Sequence, residues 1–171
     1  VMENADASEY IRGIGLQWEG KDVVADIHRE YPTMKLMQTE NECGSGTFDW
    51  AAAEHTFDLL KIYLNGGVNS YMYWNMVLAD DGASSWGWKQ NTMIRIDSQT
   101  KEVIYTPEFY LMKHKLKVLN GDDVLAFKNL DNQIVILCAN KDKKEREVRI
   151  ACKGYVINIK LAPKTFNTIT L

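Results

Sequence analysis

Residues 34–44, Met-Lys-Leu-Met-Gln-Thr-Glu-Asn-Glu-Cys-Gly, constrain the fold more than any other stretch. They form a short extended run that ends in two carboxylates, Glu40 and Glu42. The run breaks at Gly44, Ser45 and Gly46, just before a long segment of helical period. A strand that carries acids at its C-terminal end and hands over at once to a helix is how a βα barrel places its chemistry. Side chains alternate along a strand, so Leu36, Gln38 and Glu40 share one face and Met37 and Thr39 the other. With helices over the second face, Gln38 and Glu40 are expected to point into the barrel mouth.

The flanking segments extend this pattern. Residues 1–9 are acidic and aperiodic and read as a surface lead-in. Residues 10–18 are strand-like, and Gly13 and Gly15 within them predict close approach of a neighbouring backbone. Val23, Val24, Ile27 and Tyr31 then recur at helical spacing until Pro32. After the central strand, Asp49 opens a helix whose apolar stripe is Trp50, Ala53, Phe57, Leu60 and Leu64, and Asn65-Gly66-Gly67 stops it. Residues 68–75 are aromatic and β-branched and predict a third strand. The β-α-β-α-β alternation implies parallel strands with right-handed crossovers.

Residues 76–91 read as a long loop carrying Asp80-Asp81-Gly82, Trp86 and Trp88. A loop of that length in a compact domain is functional or disordered, and its tryptophans favour the first. A hairpin turning near Asp97 to Thr100 follows. Then comes a helix starting at Thr106-Pro107-Glu108, striped by Phe109, Met112, Leu116 and Leu119 and closed by Asn120-Gly121. Beyond it lie five short strand-like segments, 124–128, 133–138, 147–152, 155–160 and 166–171, separated by tight turns, which argues for an antiparallel sandwich.

Of 171 residues, 46% are hydrophobic and 25% charged, as in a globular chain with a packed core. The 20 Lys and Arg are mixed among 23 Asp and Glu for a net charge of −3, which argues against a nucleic-acid partner needing a concentrated basic face. The basic cluster 141–149 also holds Asp142, Glu145 and Glu147 and reads as a solvated hairpin rim. The 3 cysteines, Cys43, Cys138 and Cys152, show neither disulfide framework nor zinc spacing; Cys138 and Cys152 sit in apolar runs as buried thiols. They leave the compartment open between secreted and cytoplasmic. His28, His55 and His114 fall in helices without a second ligand at metal spacing, so neither metal nor other cofactor is expected. No apolar run reaches the roughly 18 residues of a membrane span.

Three motifs at ordered separations match a family: GIGLQWEGK, QTENECGSG and VNSYMYWNMVLADDGASSWGW. Together they resemble the last third of family 30 of the glycoside hydrolases, the glucosylceramidase-like retaining β-glycosidases. TPEFYLMKHKLKVL resembles the closing barrel helix of that family and the tail its side domain. The resemblance implies the last three βα units, sixth to eighth, of a (β/α)8 TIM barrel over residues 1–119. An antiparallel β-sandwich side domain would follow over 120–171. Glu40 matches the catalytic nucleophile at the end of the seventh strand. Gln17 and Trp18 match residues that shape the subsite of the attacked sugar, although related enzymes often carry histidine at the Gln17 position. Trp74 matches an aromatic that packs on the sugar, and Trp86 falls in a loop bordering the cleft.

The residues by themselves leave other roles open. Glu40 could cap the following helix or pair with a lysine, and Trp18 and Trp74 could be core aromatics. Glu42 is better suited to a solvated or supporting role than to catalysis. A retaining glycosidase needs two carboxyl groups about 5 Å apart, and in this family the acid/base comes from the fourth strand, upstream of anything resembled here. Three βα units cannot close a barrel. The expectation is therefore an O-glycosyl hydrolase, incomplete by itself, whose remaining barrel portion belongs to the same or another chain. Its substrate would be a β-linked glucoside, glucan or xylan. The alternative is a non-catalytic module that binds carbohydrate or protein.

Overall fold

The computed structural model describes residues 3–113, 124–128, 131–152 and 154–171. The expected lead-in contains one helical turn, α1 (Ala5–Ser8), because the Asn4 side chain accepts from the Ala7 amide at 3.0 Å and caps it. The first strand, β1 (Gly13–Gln17), runs parallel to β2 (Lys35–Glu40). Gly13 permits this approach, since a Cβ there would stand 2.9 Å from the Lys35 carbonyl oxygen. Between them lies α2 (Gly20–Glu30), which ends before Pro32 as expected. α3 (Trp50–Asn65) follows, N-capped by the Asp49 carboxylate on the Ala52 amide at 3.0 Å.

The third strand is shorter than its composition suggested. β3 (Ser70–Tyr71) pairs with β2 in parallel over two residues, and hydrogen bonds from the Asn69 and Met72 amides to the Leu36 and Gln38 carbonyls bracket it. The sheet order is β1-β2-β3. One apolar cluster, Leu16, Val24, Leu36, Tyr63 and Val68, joins this sheet to α2 and α3. The helix layer therefore covers the Leu36 face, the reverse of the expected arrangement, and Gln38 is sealed beneath it with its Oε1 accepting from the Met72 amide at 2.9 Å.

Part of the expected long loop is ordered as sheet. β4 (Val77–Ala79) pairs in parallel with β5 (Ile94–Ile96), which forms the anticipated hairpin with β6 (Val103–Tyr105). A bridge between Ala83 and Lys89 pins the segment between β4 and β5. α4 (Pro107–Met112) buries Leu111 and Glu108; the expected stripe residues Leu116 and Leu119, like the Asn120-Gly121 stop and His114, lie outside the described residues.

The chain divides into two compact units, Val1–Met112 and Lys113–Leu171. The second carries β7 (Val124–Lys128), β8 (Ile134–Asn140), β9 (Arg146–Cys152), β10 (Tyr155–Leu161) and β11 (Thr165–Thr170), matching the segments read from the sequence. One antiparallel sheet has the order β11-β8-β7, and β10 pairs with β9 in a second. Ile134, Ile136, Cys138 and Leu161 form their common core. Cys138 is buried as expected and Cys152 only half-buried, its position being on the rim of that core. No helix among the described residues is long and apolar enough to cross a membrane.

Candidate active site

The carboxylate of Glu40 owes its position to a single irregularity. Leu16 pairs with Gln38, yet the next residue, Gln17, pairs with Glu40, leaving Thr39 as an extra residue on β2. One inserted residue inverts the alternation of faces. Glu40 thus leaves the helix-side face of Leu36 and Gln38 and joins Gln17 on the opposite one. The Thr39 hydroxyl holds the irregularity by donating to the Leu16 carbonyl at 3.2 Å.

Two donors then grip the carboxylate. Trp18 Nε1 donates to Oε1 at 3.2 Å and Gln17 Nε2 to Oε2 at 3.3 Å. Trp18 does this from a left-handed backbone, φ 41°, a conformation costly for a bulky residue and sustained only by its surroundings. Its amide bonds the Glu40 carbonyl at 3.2 Å, and its own carbonyl accepts from the Tyr63 hydroxyl at 3.0 Å and the Lys21 ammonium at 3.3 Å. Lys21 also pairs with Glu42 at 2.9 Å. Burial would push the Glu42 carboxyl up, but the Lys21 hydrogen bond and charge, with a backbone amide, outweigh it and hold the group below the ordinary range. The Lys21 ammonium is raised by the same bond. Glu42 is accordingly a fixed anion that holds Lys21 against Trp18.

Glu40 opens onto a cavity of about 890 Å³ lined also by Trp18, Trp74, Trp86, Trp88 and the segment Cys43–Ser45. Trp18 and Trp74 are 42% and 39% exposed, so neither is a core aromatic. Trp86 and Trp88 stack on each other with centroids 5.4 Å apart and planes 14° apart. Glu40 is the one carboxylate among the described lining residues. A concave wall of indole faces around a single oriented carboxylate suits a ligand with apolar faces and a polar rim. Among the described residues, no group of three or more His, Cys, Asp or Glu is placed to hold a metal ion.

All five residues singled out from the sequence, Gln17, Trp18, Glu40, Trp74 and Trp86, lie at this place: four line the cavity, and the fifth, Gln17, donates to Glu40. Lys21, the Cys43–Ser45 wall and Lys89 were not anticipated. A signal for the wall existed in Gly44 and Gly46, which bracket Ser45 and adopt φ 69° and 75°.

The model of the glycosyl hydrolase family 30 TIM-barrel domain matches residues 1–119. No curated protein sequence matches the chain. Among solved structures, SrfJ from Salmonella typhimurium superposes with a TM-score of 0.84 at 18% identity, over 99% of this chain and 43% of that one. The endo-β1,6-glucanase BT3312 gives 0.80 at 19%, over 99% and 43%. The catalytic domain of the GH30 xylanase C from Talaromyces cellulolyticus gives 0.61 at 12%, over 99% and 47%. At such identities the likeness shows the fold alone, and the chain spans less than half the length of each of these structures. With 119 of its 171 residues matched to that one domain, the chain belongs to family 30 of the glycosyl hydrolases.

Proposed function

We infer that the chain supplies the nucleophile, Glu40, of a retaining β-glycosidase acting on a β-linked glucoside, glucan or xylan. The observation that carries this is the grip on Glu40: a carboxylate turned by an inserted residue into a tryptophan-lined cavity and held by two side-chain donors. A nucleophile must be presented in one orientation, and these bonds fix both oxygens without neutralising them. Attack on the anomeric carbon would form a glycosyl-enzyme ester as the leaving oxygen takes a proton from the second carboxyl; water, deprotonated by that group, then releases the sugar. Trp74 and Trp86 would pack on the sugar, with Gln17 and Trp18 shaping its subsite.

In this reading residues 1–119 are the sixth to eighth βα units of the barrel and 120–171 a β-sandwich side domain. The acid/base carboxyl comes from the remaining barrel portion. Glu42, occupied by Lys21 at 2.9 Å, is not that group. In the assembled enzyme, Glu40→Gln abolishes turnover while leaving the fold intact, whereas Glu42→Gln lowers it only modestly through Trp18. Turnover like wild type in Glu40→Gln overturns the assignment, and carbohydrate binding without any turnover in the assembled protein points instead to a binding module.

A further inference from the structure

The wall of the cavity beside Glu40 is held from behind by a buried polar pair that the mechanism above does not use. Asn91 and Glu108 are each 1% exposed. Asn91 Oδ1 accepts from the Gly46 amide at 2.7 Å and from the Thr47 amide at 3.2 Å. The Asn91 amide donates to the Cys43 carbonyl at 2.6 Å. Its Nδ2 donates to Glu108 Oε1 at 2.8 Å, so the amide can point only one way: oxygen to the loop, nitrogen to the carboxylate. Tyr73 donates to the same Glu108 oxygen at 3.4 Å.

The backbone of the wall is built around this side chain. Gly44 and Gly46 take left-handed conformations, and a Cβ on Gly44 would come within 2.6 Å of Asn91 Oδ1. Residues 43–47 have no place in the β1-β2-β3 sheet or in α3, so their order depends on such bonds. Burying a carboxyl to this degree is costly; its Oε1 takes the Asn91 and Tyr73 donors, the Asn91 bond being the shorter, while Oε2 has no hydrogen-bond partner among the described residues.

We propose that Glu108 is a positioning residue: through Asn91 it fixes residues 43–47 as the wall of the cleft next to Glu40. The inference rests on the glycosidase reading only for its consequence, which is that loosening this wall impairs placement of the sugar. The hold on the loop is itself independent of any reaction.

The test is hydrogen exchange read by mass spectrometry on the assembled enzyme, comparing peptides covering 43–47 with those of α3, together with the rate of Cys43 modification by a disulfide reagent. Glu108→Leu removes the acceptor for Asn91 Nδ2, and exchange and Cys43 labelling should rise roughly tenfold or more while α3 stays protected. Glu108→Gln keeps an acceptor oxygen and should stay within about twofold of wild type. Should Glu108→Leu fail to fold, Asn91→Asp decides: it retains the acceptor for Gly46 and Thr47 but turns an oxygen toward Glu108, and should open the same loop. Unchanged 43–47 exchange in a folded Glu108→Leu or Asn91→Asp chain overturns the proposal, as does equal opening of the loop and α3. A wrong assignment of Glu40 leaves all of these readings untouched, because no substrate enters the assay.

Discussion

Replacing Lys21 by Met tests how the orientation of Trp18, and through it Glu40, is maintained. The Lys21 ammonium lies 2.9 Å from Glu42 and 3.3 Å from the Trp18 carbonyl. Met fills similar volume but leaves Glu42, whose side chain is only 25% exposed, as an uncompensated half-buried carboxylate. A fully buried pair broken this way costs several kcal/mol and an exposed one less than one, so the intermediate burial here places the loss at about 1–2 kcal/mol. For a chain of this size each kcal/mol shifts Tm by about 2–4 °C, giving a fall of roughly 2–8 °C near neutral pH. Glu42 has a lowered folded-state pKa, so its contribution is full above the unfolded value and lost as pH falls through the folded one. Lys21, raised, keeps its share until pH climbs through its own folded value in the alkaline range. The deficit of Lys21→Met is therefore greatest between these limits and shrinks in acid below the ordinary carboxylate range. Thermal unfolding of wild type and variant across that range measures it. A deficit of the same size in acid and at neutral pH refutes the electrostatic basis and leaves only lost packing.

Other substitutions address separate parts of the site. Gly44→Ala should destabilise the chain by about 2–4 kcal/mol, from the left-handed φ of 69° together with displacement of the buried Asn91 oxygen 2.6 Å away, and urea unfolding reads the loss. Trp74→Ala and Trp86→Ala should each weaken binding of a β-linked oligosaccharide by about 1–2 kcal/mol, or roughly 5–30-fold, in calorimetric titration of the assembled enzyme, with a smaller change in Tm for Trp86, 75% exposed, than for Trp74, 39% exposed. In the second unit, Asn140 donates to the Lys144, Leu161 and Ala162 carbonyls at 2.9, 3.0 and 2.9 Å. Asn140→Leu should cost about 2–3 kcal/mol by stranding those groups, again visible in unfolding curves.

Local rules carried much of the structure in the sequence. Asp49 at the head of α3, Gly66 at its end, Pro32 after α2 and the turn at Asp97 each act through the nearest few residues, so their effects can be read from spacing alone. The motif around Glu40 also falls at the tryptophan-lined cavity. Its geometry was less legible. Alternation along 35–40 assigned Gln38 and Glu40 to one face, and the one extra residue at Thr39 that separates them leaves no mark in composition. The pairing of β4 with β5 spans the turn that holds Trp86 and Trp88, and three-residue strands carry too little pattern to announce it. Asn91 and Glu108 are polar residues at the end of a segment read as a loop and at a helix start, yet contacts distant in sequence bury both. Their role depends on the fold being already in place.

The most direct measurement of the central claim is the site of covalent capture in the assembled enzyme by a 2-deoxy-2-fluoro glycoside with a good leaving group, which forms the glycosyl ester faster than it is hydrolysed. Digestion and mass spectrometry should find the fluorosugar on Glu40, within the peptide that holds the Gln-Thr-Glu-Asn-Glu run, and Glu40→Gln should show none. Capture on any other residue, or undiminished capture in Glu40→Gln, contradicts the assignment of Glu40 as nucleophile.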